Sequence, residues 1–175
     1  VNKIYDIRMF WYELAYWTRA YMLARHQGTG DPSDVLARLK QVPEKYISGL
    51  LAVFGTQYIA NDTKILDRYI ELIDALITAL STGNTDEANK VVQNLYANAD
   101  ERATFLASIN PYWSVEGWRS ILYSNIRSTI DEFNSFLTNN YAQNLDIFNT
   151  ILDQAEYASD YYEQGLLNYL AGQRK

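Results

Sequence analysis

The stretch Ile59-Ala60-Asn61-Asp62-Thr63-Lys64-Ile65-Leu66-Asp67-Arg68-Tyr69-Ile70-Glu71-Leu72-Ile73-Asp74-Ala75-Leu76-Ile77-Thr78-Ala79-Leu80 decides the fold. Within it Ile59, Thr63, Leu66, Ile70, Ile73, Ile77 and Leu80 recur in steps of four and three, the spacing that places side chains along one side of an α-helix. Tyr58, Ile65, Tyr69, Leu72 and Leu76 broaden the stripe beyond the narrow seam of a two-stranded coiled coil. A helix this widely apolar needs more than one neighbour, which predicts a multi-helix bundle. Asp62, Lys64, Asp67, Arg68 and Glu71 supply its expected outer face.

Upstream, Gly55-Thr56 separates this helix from a stripe of Leu36, Leu39, Tyr46, Leu50 and Phe54. Asp31-Pro32-Ser33-Asp34 starts that second helix, with Asp31 as N-cap and Pro32 at the first helical position. Pro43 lies within it and predicts a kink or break near Gln41, because proline removes a backbone hydrogen bond and crowds the preceding turn. Before Gly28-Thr29-Gly30, a first helix over about residues 3–26 carries Phe10-Trp11-Tyr12-Glu13-Leu14-Ala15-Tyr16-Trp17-Thr18-Arg19-Ala20-Tyr21, in which six of twelve residues are aromatic. Ile7, Phe10, Leu14, Trp17 and Tyr21 form one face, and Trp11, Ala15, Thr18 and Met22 a second, so neighbours are expected on both sides.

Downstream, Asn84 and Glu87 have the spacing of a capping box for a helix running to about Ser108, where Asn110-Pro111 stops it. Ser114 caps a fifth helix with Trp118, Leu122, Asn125, Thr129, Phe133 and Phe136 on one face. Asn140 with Gln143 opens the last helix, whose stripe reads Leu145, Phe148, Leu152, Ala155, Ser159, Tyr162, Leu166 and Tyr169. Six helical segments joined by short connections, with no strand alternation and no repeat, predict an all-α, antiparallel up-and-down bundle forming one domain over residues 1–175.

The 175 residues are 48% hydrophobic and 21% charged, with 15 Tyr and 4 Trp. A net charge of −6 without a Lys/Arg cluster longer than Arg174-Lys175 makes nucleic acid and anionic membranes poor partners. Charged residues interrupt every apolar run short of the length a membrane span needs. The absence of Cys removes disulfides, thiolate metal sites and Cys nucleophiles. The start at Val1 favours an exported or cell-surface origin with a leader removed.

No reactive constellation stands out. The only histidine, His26, lies at a helix end with no Glu three residues before it, so the Glu-x-x-His set of bundle di-iron sites cannot form. Gly28-Thr29-Gly30 is followed by Asp31 rather than by the Gly-Lys-Ser/Thr of a phosphate loop. No cofactor is expected. The leading reading is therefore a non-enzymatic structural, ligand-binding or protein-interaction module, partnered by a protein or a small ligand. Two alternatives stay open. Glu13, Asn125, Asp153 and Asp160 could bind a hard cation through oxygen ligands. Trp113, Tyr157 and Tyr161 could form an aromatic surface for a sugar or peptide. A polar cluster of Glu13, Arg19, Asn125, Thr129 and Ser159 falls among the apolar stripes, and the orientation of Glu13 and Arg19, inward or outward, is the point on which it turns.

Trp17-Thr18-Arg19, Asn98-Ala99-Asp100, Asn110-Pro111-Tyr112-Trp113, Asp160 and Gly165 resemble, in order and spacing, the landmarks of a family of small uncharacterised helical-bundle proteins of mostly Gram-positive bacteria. Some of its members are labelled acetylglutamate kinase. The resemblance implies no kinase, since that chemistry needs an α/β sheet and glycine-rich phosphate loops. It also implies histidines, in several relatives, near the positions of Leu14, Tyr69, Asn125 and Gln154, a set suggesting a metal site from which this chain departs at all four positions.

Overall fold

Each chain reversal follows from a local signal that the sequence carries. The structure, a computed structural model, describes residues 3–174. It contains α1 (Lys3–Gln27), α2 (Pro32–Leu51), a 3₁₀ turn (Thr56–Tyr58), α3 (Ile59–Ser81), α4 (Thr85–Ile109), α5 (Val115–Leu137) and α6 (Tyr141–Gly172). Val1, on which the expectation of a removed leader rests, and Lys175 lie outside the described residues. The Asp31 carboxylate accepts the N–H groups of Ser33 and Asp34 at 2.8 and 3.2 Å. Asn84, Ser114 and Asn140 accept from Glu87, Gly117 and Gln143, satisfying amide groups that the first turn of a helix leaves unpaired. Gly83, at φ 70°, supplies the left-handed residue that turns the chain after α3.

The break expected near Gln41 does not occur, since α2 runs through Pro43 without interruption. Leu39, Val42, Pro43, Tyr46, Ile47, Leu50 and Leu51 are all buried along it. That continuous packing offsets the lost hydrogen bond and ring crowding, which cost about 3 kcal/mol in a helix interior.

Successive helices pack on one another, and α6 closes against α1. The odd-numbered helices α1, α3 and α5 also touch each other, so they form an inner triangle with α2, α4 and α6 seated between their pairs. This explains why α1 is apolar on two faces: Trp11, Ala15, Thr18 and Met22 are buried together with Ile7, Phe10, Leu14 and Tyr21, while Trp17 is half-buried. Among the described residues no strand is present, and no helix is long and apolar enough to cross a membrane.

Two apolar clusters fill the bundle. One, at the α4–α5 connection, gathers Phe10, Trp11, Phe54, Trp113, Trp118 and Tyr162. Here the helices approach closely because Gly165 has no side chain: a Cβ there would lie 1.9 Å from Nε1 of Trp113. That indole nitrogen donates to the Tyr161 carbonyl at 3.3 Å, and the Tyr161 hydroxyl accepts the Ser114 N–H. The other cluster holds Tyr21, Met22, Ile73, Ile77, Leu95, Phe133 and Phe136.

Two expected faces are corrected. Asp62 does not belong to the outer face of α3, although Lys64, Asp67, Arg68 and Glu71 do. It is fully buried and takes a two-point ion pair from Arg102 of α4, at 2.9 and 3.1 Å. Asp62 stands four residues before Leu66, which extends the buried side of the helix by one turn. The guanidinium also lies over the rings of Phe10 and Trp11, 5.6 and 5.5 Å from their centroids. In α6, Leu145 is exposed and Asn144 is buried in its place. The Asn144 amide donates to the Glu132 carbonyl and to the Ser135 hydroxyl at 3.1 and 3.0 Å, which a leucine could not do.

Candidate functional site

Between the two apolar clusters lies a polar layer built mainly from α5. Asn125, Thr129 and Glu132 stand four and three residues apart and so share one face of that helix. They meet Tyr69 of α3, Thr18 of α1 and Gln154 of α6 around a cavity of about 20 Å³, room for a single water molecule. The Tyr69 hydroxyl donates to Asn125 Oδ1 at 3.3 Å. Gln154 gives its amide to the Ser128 hydroxyl at 3.0 Å, and its buried Oε1 has no protein donor. A second cavity of about 20 Å³ adjoins the first, lined in part by Asn98 and Arg102.

Glu132 is the charged member of the layer and was not among the residues singled out from sequence. Its side chain is 2% exposed, and it accepts from Arg19 Nη1 at 3.0 Å. Burial pushes its carboxyl up to about 7, only partly opposed by the charge and hydrogen bond of Arg19. Arg19 itself lies against the rings of Phe148 and Phe136, 4.4 and 5.1 Å from their centroids. Burial also raises the Tyr69 phenol, to about 12. The layer is thus held by three side-chain pairs, Tyr69–Asn125, Gln154–Ser128 and Arg19–Glu132, around space for one water molecule.

The polar cluster expected from sequence is thus half assembled. Asn125 and Thr129 line the layer, and Arg19 joins it through Glu132. Glu13 does not: it faces α2, where Lys45 and Tyr46 donate to it at 2.7 and 2.6 Å. Burial pushes the Glu13 carboxyl up, but the hydrogen bonds from Lys45 and Tyr46 outweigh it and hold the group below its ordinary value. Ser159 is buried yet spends its hydroxyl on the Ala155 carbonyl of its own helix, the common back-bond of a serine inside a helix.

The cation-binding alternative loses its geometry. Glu13 is held by α2, Asn125 by Tyr69, and Asp160 by Arg8 at 2.7 Å, while Asp153 is exposed. Among the described residues no three His, Asp or Glu side chains stand close enough to hold a metal ion. The four positions at which the family resemblance implies histidines do converge, since Leu14, Tyr69, Asn125 and Gln154 all line the first cavity. In this chain they present one apolar group, one phenol and two amides, none of them anionic at neutral pH.

The aromatic surface is also corrected. Trp113 is 4% exposed, wedged among Phe54, Trp118 and Tyr162, and Tyr161 is half-buried against Trp118. Tyr157 alone of the three stands in solvent. The Trp113 and Tyr161 rings are spent on the close approach at Gly165 and on the cap of α5.

A different surface emerges instead. Of nine large apolar side chains exposed among the described residues, Ile4, Tyr5 and Tyr16 belong to α1, and Tyr141, Leu145, Tyr157, Leu167 and Leu170 to α6. Only Tyr112 lies elsewhere. Tyr16 meets Phe148 edge to face across the two helices, with ring centroids 5.7 Å apart. Farther along the same flank Arg8 is surrounded by Glu156, Asp160 and Glu163 at 3.8, 2.7 and 3.9 Å. An open groove of about 370 Å³ continues from Arg8, Asp160 and Glu163 to Leu167. The sequence signal for this flank is a charge run: Asp146, Asp153, Glu156, Asp160 and Glu163 lie in α6, and no Lys or Arg stands between Arg127 and Arg174. No family model, curated protein or solved structure matches the chain.

Proposed function

We propose that this protein is a non-catalytic helical-bundle module that works by binding another protein along the flank formed by α1 and α6. One observation carries the reading: eight of the nine exposed large apolar side chains lie on these two adjoining helices, all but Tyr157, which borders Ser120 and Ser124 of α5, being counted to the flank. Apolar side chains gathered on one flank are the usual mark of a contact surface, whereas single scattered ones are not. The ion pairs between helices support the same reading from the other side. Asp62, Glu132, Glu13 and Asp100 are each engaged by an arginine or lysine of the same chain, and such pairs fix a bundle rather than meet a substrate. The resemblance to the small helical-bundle family is part of the same proposal, with the polar layer acting as an internal spacer at the positions where that resemblance implies histidine.

The test places a photo-cross-linking amino acid at Leu145 or at Leu167, and at the exposed Lys64 and Lys90 as controls. Irradiation of cells that make the full chain should give protein adducts from the two α6 positions and not from the controls. The absence of adducts at Leu145 and Leu167, or the same adducts from all four positions, would refute the reading.

A further inference from the structure

The flank is not uniformly apolar. Its middle is anionic, because Glu156, Asp160 and Glu163 outnumber the one cation among them, a local balance of 1 − 3 = −2. Glu156 and Asp160 are more than half exposed, so their charge reaches solvent with only Arg8 to offset it. Apolar groups sit at both ends, Tyr16, Leu145 and Phe148 toward the start of α6, and Leu167 with Leu170 toward its end. Leu145 and Leu167 are separated by about 33 Å of helix axis, at about 1.5 Å per residue. The pattern along the flank is therefore apolar, acidic, apolar.

We infer that this flank docks a cationic amphipathic helix of another protein, its Lys and Arg side chains against Glu156, Asp160 and Glu163 and its apolar residues against Leu145 and Leu167. The inference rests on the reading of the α1/α6 flank as the contact surface and adds the chemistry of what it contacts. Charge complementarity selects the occupant: a cationic segment gains from the uncompensated carboxylates, and like charges juxtaposed at an interface are repelled. A second copy of this chain would bring Glu156, Asp160 and Glu163 against the same three acids, a local balance of −2 meeting another of −2. Length selects it as well, since a helix of about 25 residues spans both apolar ends. A second trio of acids, Glu44, Asp67 and Glu71, lies close enough for the two glutamates to raise the Asp67 carboxyl, after burial as the larger cause. It has no exposed large apolar side chain on α2 or α3 beside it, which makes it a matched control.

The test uses the full chain and a fluorescent helical peptide of about 25 residues with Lys and Arg at its centre and Leu near both ends, followed by fluorescence anisotropy at low and physiological salt. Three variants are compared: Glu156→Gln/Asp160→Asn/Glu163→Gln, Leu145→Ser/Leu167→Ser, and the control Glu44→Gln/Asp67→Asn/Glu71→Gln. Circular dichroism confirms that each is folded; all the substituted side chains are exposed except Glu163, which is half-buried. The expected result is a loss of affinity of tenfold or more in the first two variants and little change in the third, with binding weakened by salt. No binding by the unaltered chain, an equal loss in the control, or undiminished binding by the serine variant would overturn the inference. So would self-association of the chain that disappears with Leu145→Ser/Leu167→Ser. If the peptide fails while cross-linking at Leu145 and Leu167 succeeds, the contact surface stands and the cationic partner falls.

Discussion

Replacing Glu132 by Gln should change how stability depends on pH more than it changes stability itself. The carboxyl is buried beside Arg19, and its pKa stands at about 7 in the folded chain against an ordinary 4.5. A carboxyl whose folded pKa is raised is held more favourably when protonated, so its contribution is fully present below pH 4.5 and is lost as pH rises through 7. The difference of about 2.5 in pKa, at about 1.4 kcal/mol per unit, amounts to about 3 kcal/mol over the whole window. Of this, about 2 kcal/mol is lost above pH 5.5, a range clear of the isoelectric point near 4.8. Glu132→Gln keeps the shape and an acceptor for Arg19 but cannot ionise. Urea unfolding of both proteins from pH 5.5 to 8.5 should give curves that diverge, the unaltered chain losing about 2 kcal/mol relative to the variant. The other titrating groups cancel in the difference. Parallel curves would refute the reasoning, because they would mean that Arg19 keeps Glu132 charged across the whole range.

Three further outcomes follow from the packing. Arg102→Ala, which strands the buried Asp62 carboxylate, should cost about 3–5 kcal/mol in chemical unfolding, and replacing both partners by apolar residues should cost clearly less; equal costs would show that the pair is not the source. Gly165→Ala drives a methyl group into the Trp113 indole, which Phe54, Trp118 and Tyr162 hold in place. A loss of about 1–3 kcal/mol is expected, with a changed Trp fluorescence spectrum, whereas an unchanged spectrum and midpoint would show that the ring has room to move. Ser114→Ala removes the hydroxyl that receives the Gly117 N–H, and a drop of about 1 kcal/mol in unfolding free energy is expected; no measurable drop would mean that water caps α5 equally well.

The helices were legible because their signals are local. Asp31, Asn84, Ser114 and Asn140 all cap where their side chains predict, and the α3 stripe is buried from Leu66 to Ile77. What escaped depends on partners distant in sequence. Asp62 looks like any first-turn acid until Arg102, forty residues later, reaches it. Glu132 sits on the same α5 face as Asn125 and Thr129, three residues past Thr129, and that spacing was the available sign that the polar face extends one turn further. Trp113 and Tyr161 pass equally well for a binding platform, because nothing in either residue reveals that Gly165 admits the indole. Pro43 does not break α2: its local penalty is real, but seven buried side chains along the helix outweigh it. The surface on α6 could be read from its lack of Lys and Arg, yet its meaning depended on which flank α1 leaves open.

The inner position of α1 imposes an order on biosynthesis. Its two apolar faces are covered by α2 and α3 on one hand and by α5 and α6 on the other, and α6 follows the other five in chain order. Until about residue 160 has emerged, Trp11, Ala15 and Arg19 lack part of their cover, and the most aromatic segment of the chain must wait beside the ribosome with one side bare. Synthesis in the order α1 to α6 thus leaves one side of this aromatic segment bare until α6 is added.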